Sequence, residues 1–322
     1  MQIISNCTQD VIKKAAKALT DGHLVAFPTE TVYGLGADAT NEKAVSRIYS
    51  VKGRPSDHPL IVHISSINGL ADWATQVPEY AIELARAFWP GPMSLILPRT
   101  KLAQDFITGG QENVGLRVPS HPIALELLRQ FEHAGGKGIA APSANRFGAL
   151  SPTTADAVYQ ELGAYLTGSD LILDGDQSTV GIESTIIDCT GAIPQILRPG
   201  AITTRMVEEL INIKLMQTAD DNSVRVSGHF QSHYAPKAKV VLGENAQPGD
   251  GLIALSSVPT PPGVTRLASP SDAKEFARNL YQALRNADHL GIGQISIIVP
   301  NGEGLEKAIK DRVEKAASGL RH

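Results

Sequence analysis

Residues 24–36 read LVAFPTETVYGLG, and this stretch indicates the fold class. The short apolar run Leu24–Phe27 is typical of a buried strand, which Pro28 ends. The polar, glycine-rich segment that follows is either a strand-to-helix turn capped by threonines or a loop that carries a binding site. Before the strand, Thr8–Asp21 has apolar residues at helical spacing and is closed by Gly22, so a helix leads into it.

Helices and short apolar strands alternate along the first two thirds of the chain. Further helices are predicted at residues 42–51, 78–88, 123–131 and 155–162, and further strands at 60–64, 94–97, 114–118, 139–141, 171–173, 184–188 and 195–197. This alternation predicts an α/β fold with a mixed sheet.

A polar segment without either hydrophobic period then interrupts the pattern and is predicted to be a linker. Strands at 240–242, 252–255 and 295–299 and helices at 272–288 and 305–317 follow it. Asp272 and Glu275 form a predicted capping pair for the first of these helices. The predicted organisation is a first domain at residues 1–213, a linker at 214–238 and a small α/β domain at 239–322.

The composition is that of a globular protein from a reducing compartment. The 322 residues carry a formal net charge of −4, and 42% of them are hydrophobic. This balance allows a sizeable core and argues against a surface coated with basic groups for nucleic acid. Cys7 and Cys189 are far apart and have neither metal nor disulfide spacing. No signal peptide or membrane span is recognisable, so a cytoplasmic protein without membrane contact is expected.

The common signatures of nucleotide and metal enzymes are missing from the sequence. The glycines at 135–138 lack the spacing and the hydroxyl residue of a P-loop. The GIG segment at 291–293 precedes a strand, whereas a dinucleotide fingerprint would follow one. Neither a His-Glu-x-x-His helix nor a Gly-x-Ser-x-Gly elbow occurs. The candidate sites that remain are polar loops next to short strands.

Two of these loops contain a central arginine. The KGRP segment at 52–55 is either a solvated charged loop or an anion clamp, since the fork of Arg54 matches phosphate or carboxylate. The GLRVP segment at 115–119 places Arg117 inside an apolar strand, where burial is costly unless an anion meets the guanidinium. That anion could be a ligand carboxylate or an internal salt-bridge partner.

Three further loops offer small polar groups. APSANR at 141–146 suits close approach to phosphate oxygens, although a turn with Ser and Asn caps explains it equally well. GIEST at 181–185 and LRPG at 197–200 also abut strands, and Arg198 taken alone would form a surface salt bridge. Convergent cations with Ser, Thr and Asn donors predict a polyanionic ligand such as a nucleoside triphosphate. No acidic pair or Cys/His cluster predicts a protein nucleophile or a protein-held metal.

The motifs PTETVYGLG, KGRPSDHPLIVHI, WPGP, GLRVP, APSAN, SPT, GIESTIID and LRPG occur in this order. Together they resemble the YrdC-like threonylcarbamoyl-AMP synthase family. HYAP at 233–236 and the trailing α/β unit are similar to the longer, two-domain type of that family. The resemblance implies a YrdC-like twisted, open mixed sheet with helices, a linker and a small Rossmann-like C-terminal domain.

The resemblance also implies an activity. L-Threonine, bicarbonate and ATP would give threonylcarbamoyl-AMP and pyrophosphate, and a partner transferase would then modify tRNA. Mg²⁺ is expected to be carried by the ATP phosphates, and weak direct tRNA binding is compatible with this function. By resemblance, the catalytic residues are Lys52, Arg54, Ser143 and Asn145, the threonine-binding residues are Thr31, His63, Arg117, Ala141 and Ser184, and the ATP-binding residues are Arg54, His58, Asn113, Ser143, Ser151, Arg198, His233 and Tyr234.

The chain departs from the family pattern in details. His58 stands where asparagine is common and Asn113 where threonine is common, yet each keeps a polar group. The linker, with His233 and Tyr234 held by Pro236, is expected to act as a lid that shields the labile anhydride from water; a passive tether is the alternative.

Two other kinds of function are open. One is a double-stranded RNA- or tRNA-binding module whose basic cleft follows a phosphate backbone, although the acidic balance and the 5% aromatic content count against it. The other is a carbamoyl-transfer domain, whose relatives carry zinc-finger segments that this chain lacks.

Overall fold

A computed structural model describes residues 3–215, 225–226, 235–243 and 245–319, which form two sheets flanked by helices. The strands are β1 (Ile3–Ile4), β2 (Val25–Phe27), β3 (Gly34–Asp38), β4 (Ile61–His63), β5 (Met93–Pro98), β6 (Asn113–Arg117), β7 (Ile139–Ala140), β8 (Leu171–Leu173), β9 (Thr185–Asp188), β10 (Gln195–Arg198), β11 (Lys239–Leu242), β12 (Gly251–Ile253), β13 (Thr265–Ala268) and β14 (Gln294–Ile297). The helices are α1 (Gln9–Thr20), α2 (Glu42–Lys52), α3 (Leu70–Trp73), α4 (Glu79–Phe88), α5 (Asp105–Thr108), α6 (Pro122–His133), α7 (Ala155–Leu162), α8 (Thr204–Ile211), α9 (Ala273–His289) and α10 (Leu305–Ser318).

The larger sheet is mixed, as predicted. Within the described residues it has ten strands in the order β1-β8-β2-β3-β7-β4-β6-β5-β9-β10. It contains parallel pairs, such as β4 with β6 and β5 with β9, and antiparallel pairs, such as β2 with β3 and β5 with β6. The smaller sheet, β11-β14-β12-β13, is parallel throughout, which confirms the predicted Rossmann-like unit.

The first polar loop joins two strands, so the strand-to-helix turn considered for it is wrong. Residues 34–38 form β3, which pairs antiparallel with both β2 and β7. Glycine is required at position 36, because a Cβ atom there would lie 2.7 Å from Ile139 Cγ2 and 2.8 Å from Phe27 Cε1. The close approach of three strands therefore selects a glycine-rich sequence that local strand propensity disfavours.

Helix boundaries follow local capping. Thr8 accepts a hydrogen bond from the backbone N–H of Val11 and starts α1, whose apolar face packs against α6. At α9, Asp272 Oδ1 accepts from the N–H of Glu275 at 2.8 Å, and the Glu275 carboxylate accepts from the N–H of Ser271 at 2.7 Å. The predicted capping pair is confirmed at α9.

Candidate functional site

A cleft of about 580 Å³ opens on the face of the sheet where β4 and β6 run side by side. His63 and Arg117 are register partners in these parallel strands, so their side chains project from the same face. The cleft is lined by Thr29, Thr31, Val32, Tyr33, Gly34, Arg54, Ile61, His63, Arg117, Ala141, Pro142, Ser143, Glu183, Ser184 and Arg198. All five residues predicted to hold threonine are among them, as are Arg54, Ser143 and Arg198 of the predicted ATP set.

Arg117 is held by an internal salt bridge. Its Nη2 donates to Glu30 Oε1 at 2.6 Å and to Thr31 Oγ1 at 2.9 Å. The second carboxylate oxygen of Glu30 accepts from the backbone N–H of Ser120 at 3.0 Å. Nη1 of Arg117 donates to none of the described residues, so the same guanidinium can also receive an anion from the cleft. The two alternatives for Arg117 are thus compatible.

His63 is a neutral imidazole beside this arginine. It is 4% exposed, and its ring meets that of Phe27 edge-on at 6.0 Å between centroids. Burial, and then the positive charge of Arg117, lower the pKa of His63 to about 3. At neutral pH it therefore offers a hydrogen-bonding group without adding a second positive charge.

Lys52 lies behind the Ser143–Asn145 loop and does not line the cleft. Its Nζ donates to the carbonyl oxygens of Ser143 at 2.6 Å and of Asn145 at 2.5 Å. Burial, and then the charge of Arg54, hold the pKa of Lys52 well below its usual value. Lys52, predicted to be catalytic, thus fixes the backbone that presents Ser143.

Asn145 also acts on the backbone of this loop. Its side chain is fully buried, and Nδ2 donates to the carbonyl oxygens of Arg146 and Ala149 at 2.8 Å each. Of the four residues predicted to be catalytic, Arg54 and Ser143 reach the cleft, while Lys52 and Asn145 shape its wall.

Arg54 enters the cleft just after the end of α2. Gly53 closes that helix in the left-handed conformation with φ 62°, which turns the chain sharply. Nη2 of Arg54 donates to the carbonyl oxygen of Pro59 at 3.0 Å, so the guanidinium is anchored at one corner. A fixed guanidinium at a cleft wall suits recognition of phosphate or carboxylate oxygens.

Arg198 and Ser184 form a polar cluster in the same cleft. Arg198 donates to the carbonyl oxygen of Ser184 from Nε at 3.1 Å and from Nη2 at 2.9 Å, and Nη2 also reaches Ser184 Oγ at 3.1 Å. Ser184 Oγ shares a 2.8 Å hydrogen bond with Ser94 Oγ. The surface salt bridge considered for Arg198 is wrong, since the side chain is buried and braces the Ser184 loop.

Glu183 is a cleft residue to which the sequence assigned no role. It accepts from Ser151 Oγ at 2.6 Å and from Arg312 Nε at 2.7 Å. Burial alone would raise its pKa, but the charges of Arg312 and Arg198 prevail and lower it to about 2. The sequence does contain a signal for this residue. A glutamate among small and apolar residues before a strand is expected to be buried, and a buried carboxylate needs a partner. Ser151, predicted to bind ATP, is engaged by this carboxylate and does not line the cleft.

A second, smaller cavity of about 320 Å³ continues along the same face of β6. Asn113, Gly115 and Arg117 are two residues apart in β6 and therefore share this face. Ile61 borders both cavities. Asn113, predicted to bind ATP, therefore lies in the second cavity, two same-face positions along β6 from Arg117 in the main cleft.

His58 faces neither cavity. Its ring packs against Phe147 at 5.3 Å between centroids, and burial, then the charge of Arg54, lower its pKa. His233 and Tyr234, with most of the predicted lid, lie outside the described residues.

Across the part of the chain that the structure describes, no helix combines the length and apolarity needed to cross a membrane. Those same residues contain no group of three or more His, Cys, Asp or Glu side chains able to hold a metal ion.

Two family profiles cover most of the chain. The family described as telomere recombination (Sua5, YciO and YrdC proteins) matches residues 17–200, and the threonylcarbamoyl-AMP synthase C-terminal domain matches residues 202–318. This chain belongs to the threonylcarbamoyl-AMP synthase family. The predicted membership in its two-domain type is confirmed by both matches.

Individual members of the threonylcarbamoyl-AMP synthase family match over nearly their whole length. The threonylcarbamoyl-AMP synthase of Pyrococcus abyssi is 39% identical, over 100% of this chain and 99% of its own length. That of Bacillus subtilis is 38% identical, over 96% of this chain and 93% of its own length. A crystal structure of P. abyssi Sua5 complexed with L-threonine superposes with a TM-score of 0.88 at 36% identity, covering 99% of this chain and 98% of that one.

Proposed function

We propose that this enzyme converts L-threonine, bicarbonate and ATP into threonylcarbamoyl-AMP and pyrophosphate. The observation that carries the proposal is the convergence of Arg54, Arg117 and Arg198 on one cleft, where they are 7%, 5% and 4% exposed. Buried arginines of this kind fit a small polyanion that enters the cleft, and they cannot follow the backbone of a duplex. The double-stranded RNA-binding alternative is therefore not supported.

Threonine would occupy the Arg117 side of the cleft. Its carboxylate matches Nη1 of Arg117, whose other terminal nitrogen is tied to Glu30 and Thr31. Its hydroxyl matches the neutral His63 or the hydroxyl of Ser184, which line the same cleft. A neutral His63 is suited to this role, because a nearby second cation would bind any anion without selecting for the hydroxyl.

ATP would extend from Arg54 and Ser143 toward the second cavity. The arginine fork and the serine hydroxyl are suited to phosphate oxygens, and the 320 Å³ space beside Asn113 continues the cleft along β6. Mg²⁺ would arrive as part of the MgATP substrate, bound mainly by phosphate oxygens. Among the described lining residues the one carboxylate is Glu183, already engaged by Ser151 and Arg312.

The chemistry needs positioning more than a protein nucleophile. The threonine amine and bicarbonate give a carbamate with loss of water. A carbamate oxygen then bonds to the α-phosphorus of ATP as the bond to the bridging oxygen breaks and pyrophosphate leaves. Because the carbamate is an anion, this step needs no strong base, and correct alignment alone is worth about 7–11 kcal/mol. The arginines would stabilise charge on the transferred and departing phosphates.

The product is a labile mixed anhydride, so a transferase that acts on tRNA must consume it. We place the enzyme in the cytoplasm for that reason. A lid formed by the linker residues His233 and Tyr234, and weak direct tRNA binding, stay predictions.

The proposal is tested by pyrophosphate release with each substrate omitted in turn. Release should require ATP, threonine and bicarbonate together, and mass spectrometry should detect threonylcarbamoyl-AMP. Serine should be used less well by about tenfold to a few hundredfold, since one methyl group gives only about 1–3 kcal/mol of discrimination. Equal release without threonine, or serine used as well as threonine, would refute the assignment.

A further inference from the structure

Two side chains of the smaller domain reach the wall of the cleft. Arg312, on α10, donates from Nε to Glu183 Oε2 at 2.7 Å and from Nη2 to the carbonyl oxygen of Pro199 at 3.0 Å. Tyr281, on α9, donates its hydroxyl to Glu183 Oε2 at 3.0 Å. The Arg312 side chain is 0% exposed, and its remaining terminal nitrogen, Nη1, donates to the neighbouring Asp311.

Glu183 is an unexpected residue in a cleft that collects anions. A buried carboxylate repels an incoming phosphate or carboxylate and is costly to desolvate without a cation beside it. Arg312 provides that cation, and Tyr281 and Ser151 supply hydrogen bonds to the remaining lone pairs. The smaller domain thus neutralises a charge in the ligand site of the larger one.

The same contact fixes two neighbouring cleft residues. Ser184 follows Glu183 directly, and Pro199 follows Arg198, so Arg312 holds the backbone on both sides of the Arg198–Ser184 cluster. Arg198 is the other cation whose charge acts on Glu183. Removal of Arg312 leaves Arg198 as the available counter-charge, and attraction to Glu183 then competes with its bonds to Ser184.

We infer that Arg312 and Tyr281 are positioning residues of the active cleft, which bind no substrate themselves but hold Glu183 neutralised so that Arg198 and Ser184 keep their places. The kinetic prediction rests on the proposed function. The smaller domain is therefore part of the catalytic unit. Its Arg312 controls the affinity of the cleft for the anionic substrates.

The test is a double-mutant cycle in the full chain with steady-state pyrophosphate release. Arg312→Met should lower kcat/KM by about tenfold to a hundredfold, as expected for loss of a charged hydrogen bond, mainly through higher KM for threonine and ATP. Glu183→Gln should lower kcat/KM in the parental background, where it removes the negative charge that Arg312 meets across the domain contact. In the Arg312→Met background, Glu183→Gln should instead raise kcat/KM, because it removes the carboxylate that has lost its counter-charge.

Arg266→Met is the control in the same domain. Arg266 is a half-buried arginine whose guanidinium donates to the carbonyl oxygens of Ala254, Leu255 and Ala268, all in the smaller domain and none of them lining the cleft. It should lower thermal stability while KM and kcat stay at parental values. If Arg312→Met does not fold, Tyr281→Phe tests the inference in its place, because it removes one hydrogen bond to Glu183 and leaves no charge unpaired. It should raise KM for threonine and ATP about threefold.

The outcomes separate the inference from the proposed function. A parental chain that releases no pyrophosphate refutes the proposed function. An active parent with parental KM in Arg312→Met, or in Tyr281→Phe where the first variant does not fold, overturns the inference. Failure of Glu183→Gln to raise kcat/KM in the Arg312→Met chain also overturns it, since Arg312 would then not act through Glu183.

Discussion

The two domains use buried charge in different ways. In the larger domain, Lys52 and Arg117 are buried by contacts within that domain, with backbone carbonyls and with Glu30. In the smaller domain, the buried charged side chains that the structure describes, Arg285 and Arg312, both contact the larger domain. The apolar core of the smaller domain extends to Val32, Leu150 and Ile182 of the larger one, and each of these two arginines has an acidic partner across that contact.

This difference separates two roles of the same residue type. An arginine such as Arg117 keeps one terminal nitrogen for the cleft while the other is tied to protein. Arg312 is bonded from both Nε and Nη2 to the larger domain and is fully buried. The first kind of arginine can contact ligand, and the second kind can only position those that do. The first of four predictions tests the ligand-contacting role, and the other three concern strand packing, a buried histidine and helix capping.

The largest effect is expected where a cation of the larger domain meets ligand. Arg54→Lys should lower kcat/KM by about ten- to a hundredfold and be nearly as damaging as Arg54→Ala, because lysine cannot reproduce the fork. Steady-state pyrophosphate release measures the effect, with Arg86→Lys on the exposed face of α4 as control. Full activity in Arg54→Lys would show that only the positive charge matters.

Close strand packing in the larger sheet predicts a loss of stability. Gly36→Ala should lower the free energy of unfolding by about 1–3 kcal/mol, because the new Cβ would lie 2.7 Å from Ile139 Cγ2. Calorimetry measures this loss. Gly293→Ala, before β14, meets no atom within 4 Å and should change stability by less than about 0.5 kcal/mol. Equal effects at both positions would contradict the packing argument.

Because His63 is buried in its neutral form, we expect the folded chain to lose stability in acid. Its pKa is about 3 in the folded chain, below the ordinary value of 6.5, so the unfolded chain binds the proton more tightly. The stability that it contributes is complete above pH 6.5 and is lost as the pH falls toward 3. Between pH 7.5 and 5.0 this loss amounts to about 2 kcal/mol. His63→Gln should flatten the pH dependence of the melting temperature over this interval, whereas exposed His133→Gln should leave it as in the parent.

The smallest expected effect is the loss of a helix cap, which should cost the two domains the same. Asp272→Ala in the smaller domain and Thr154→Ala in the larger one each remove a side chain that accepts from a helix N-terminal N–H. Each should lower the free energy of unfolding by about 1 kcal/mol, because capping is local. Urea denaturation measures both. A cost several times larger for either residue would show that the cap also supports the contact between domains.

The parts of the fold that the sequence predicts are those with a strong local pattern. The apolar runs before Pro28 and around Val62 became strands, and the helix capped by Asp272 formed where expected. β3 escaped prediction because Gly34–Asp38 has the composition of a loop, and it is a strand only because β2 and β7 flank it. α8 could have been predicted, since Thr203 caps an amphipathic run.

The residues of the cleft show the same limit of prediction from local sequence pattern. Its place inside an apolar strand identified Arg117 as a candidate from the residues alone, whereas Thr31 and His63 were assigned by the family resemblance. The register of β4 and β6 then brings His63 and Arg117 together. The partners Glu30 and Arg312 could not be derived in this way. Arg312 lies 129 residues from Glu183, and no local period encodes which distant side chain will meet a buried carboxylate.

The same separation gives the cleft an order of assembly. Domains generally fold as they emerge from the ribosome, the N-terminal one first. Glu183 is therefore translated, and its sheet can form, well before Arg312 exists to pair with it. We expect a nascent chain in that interval to have a carboxylate facing its own ligand site and to bind threonine and ATP poorly. Arrival of α10 would then raise the affinity of an already folded domain for its substrates, so that affinity reports completion of the chain.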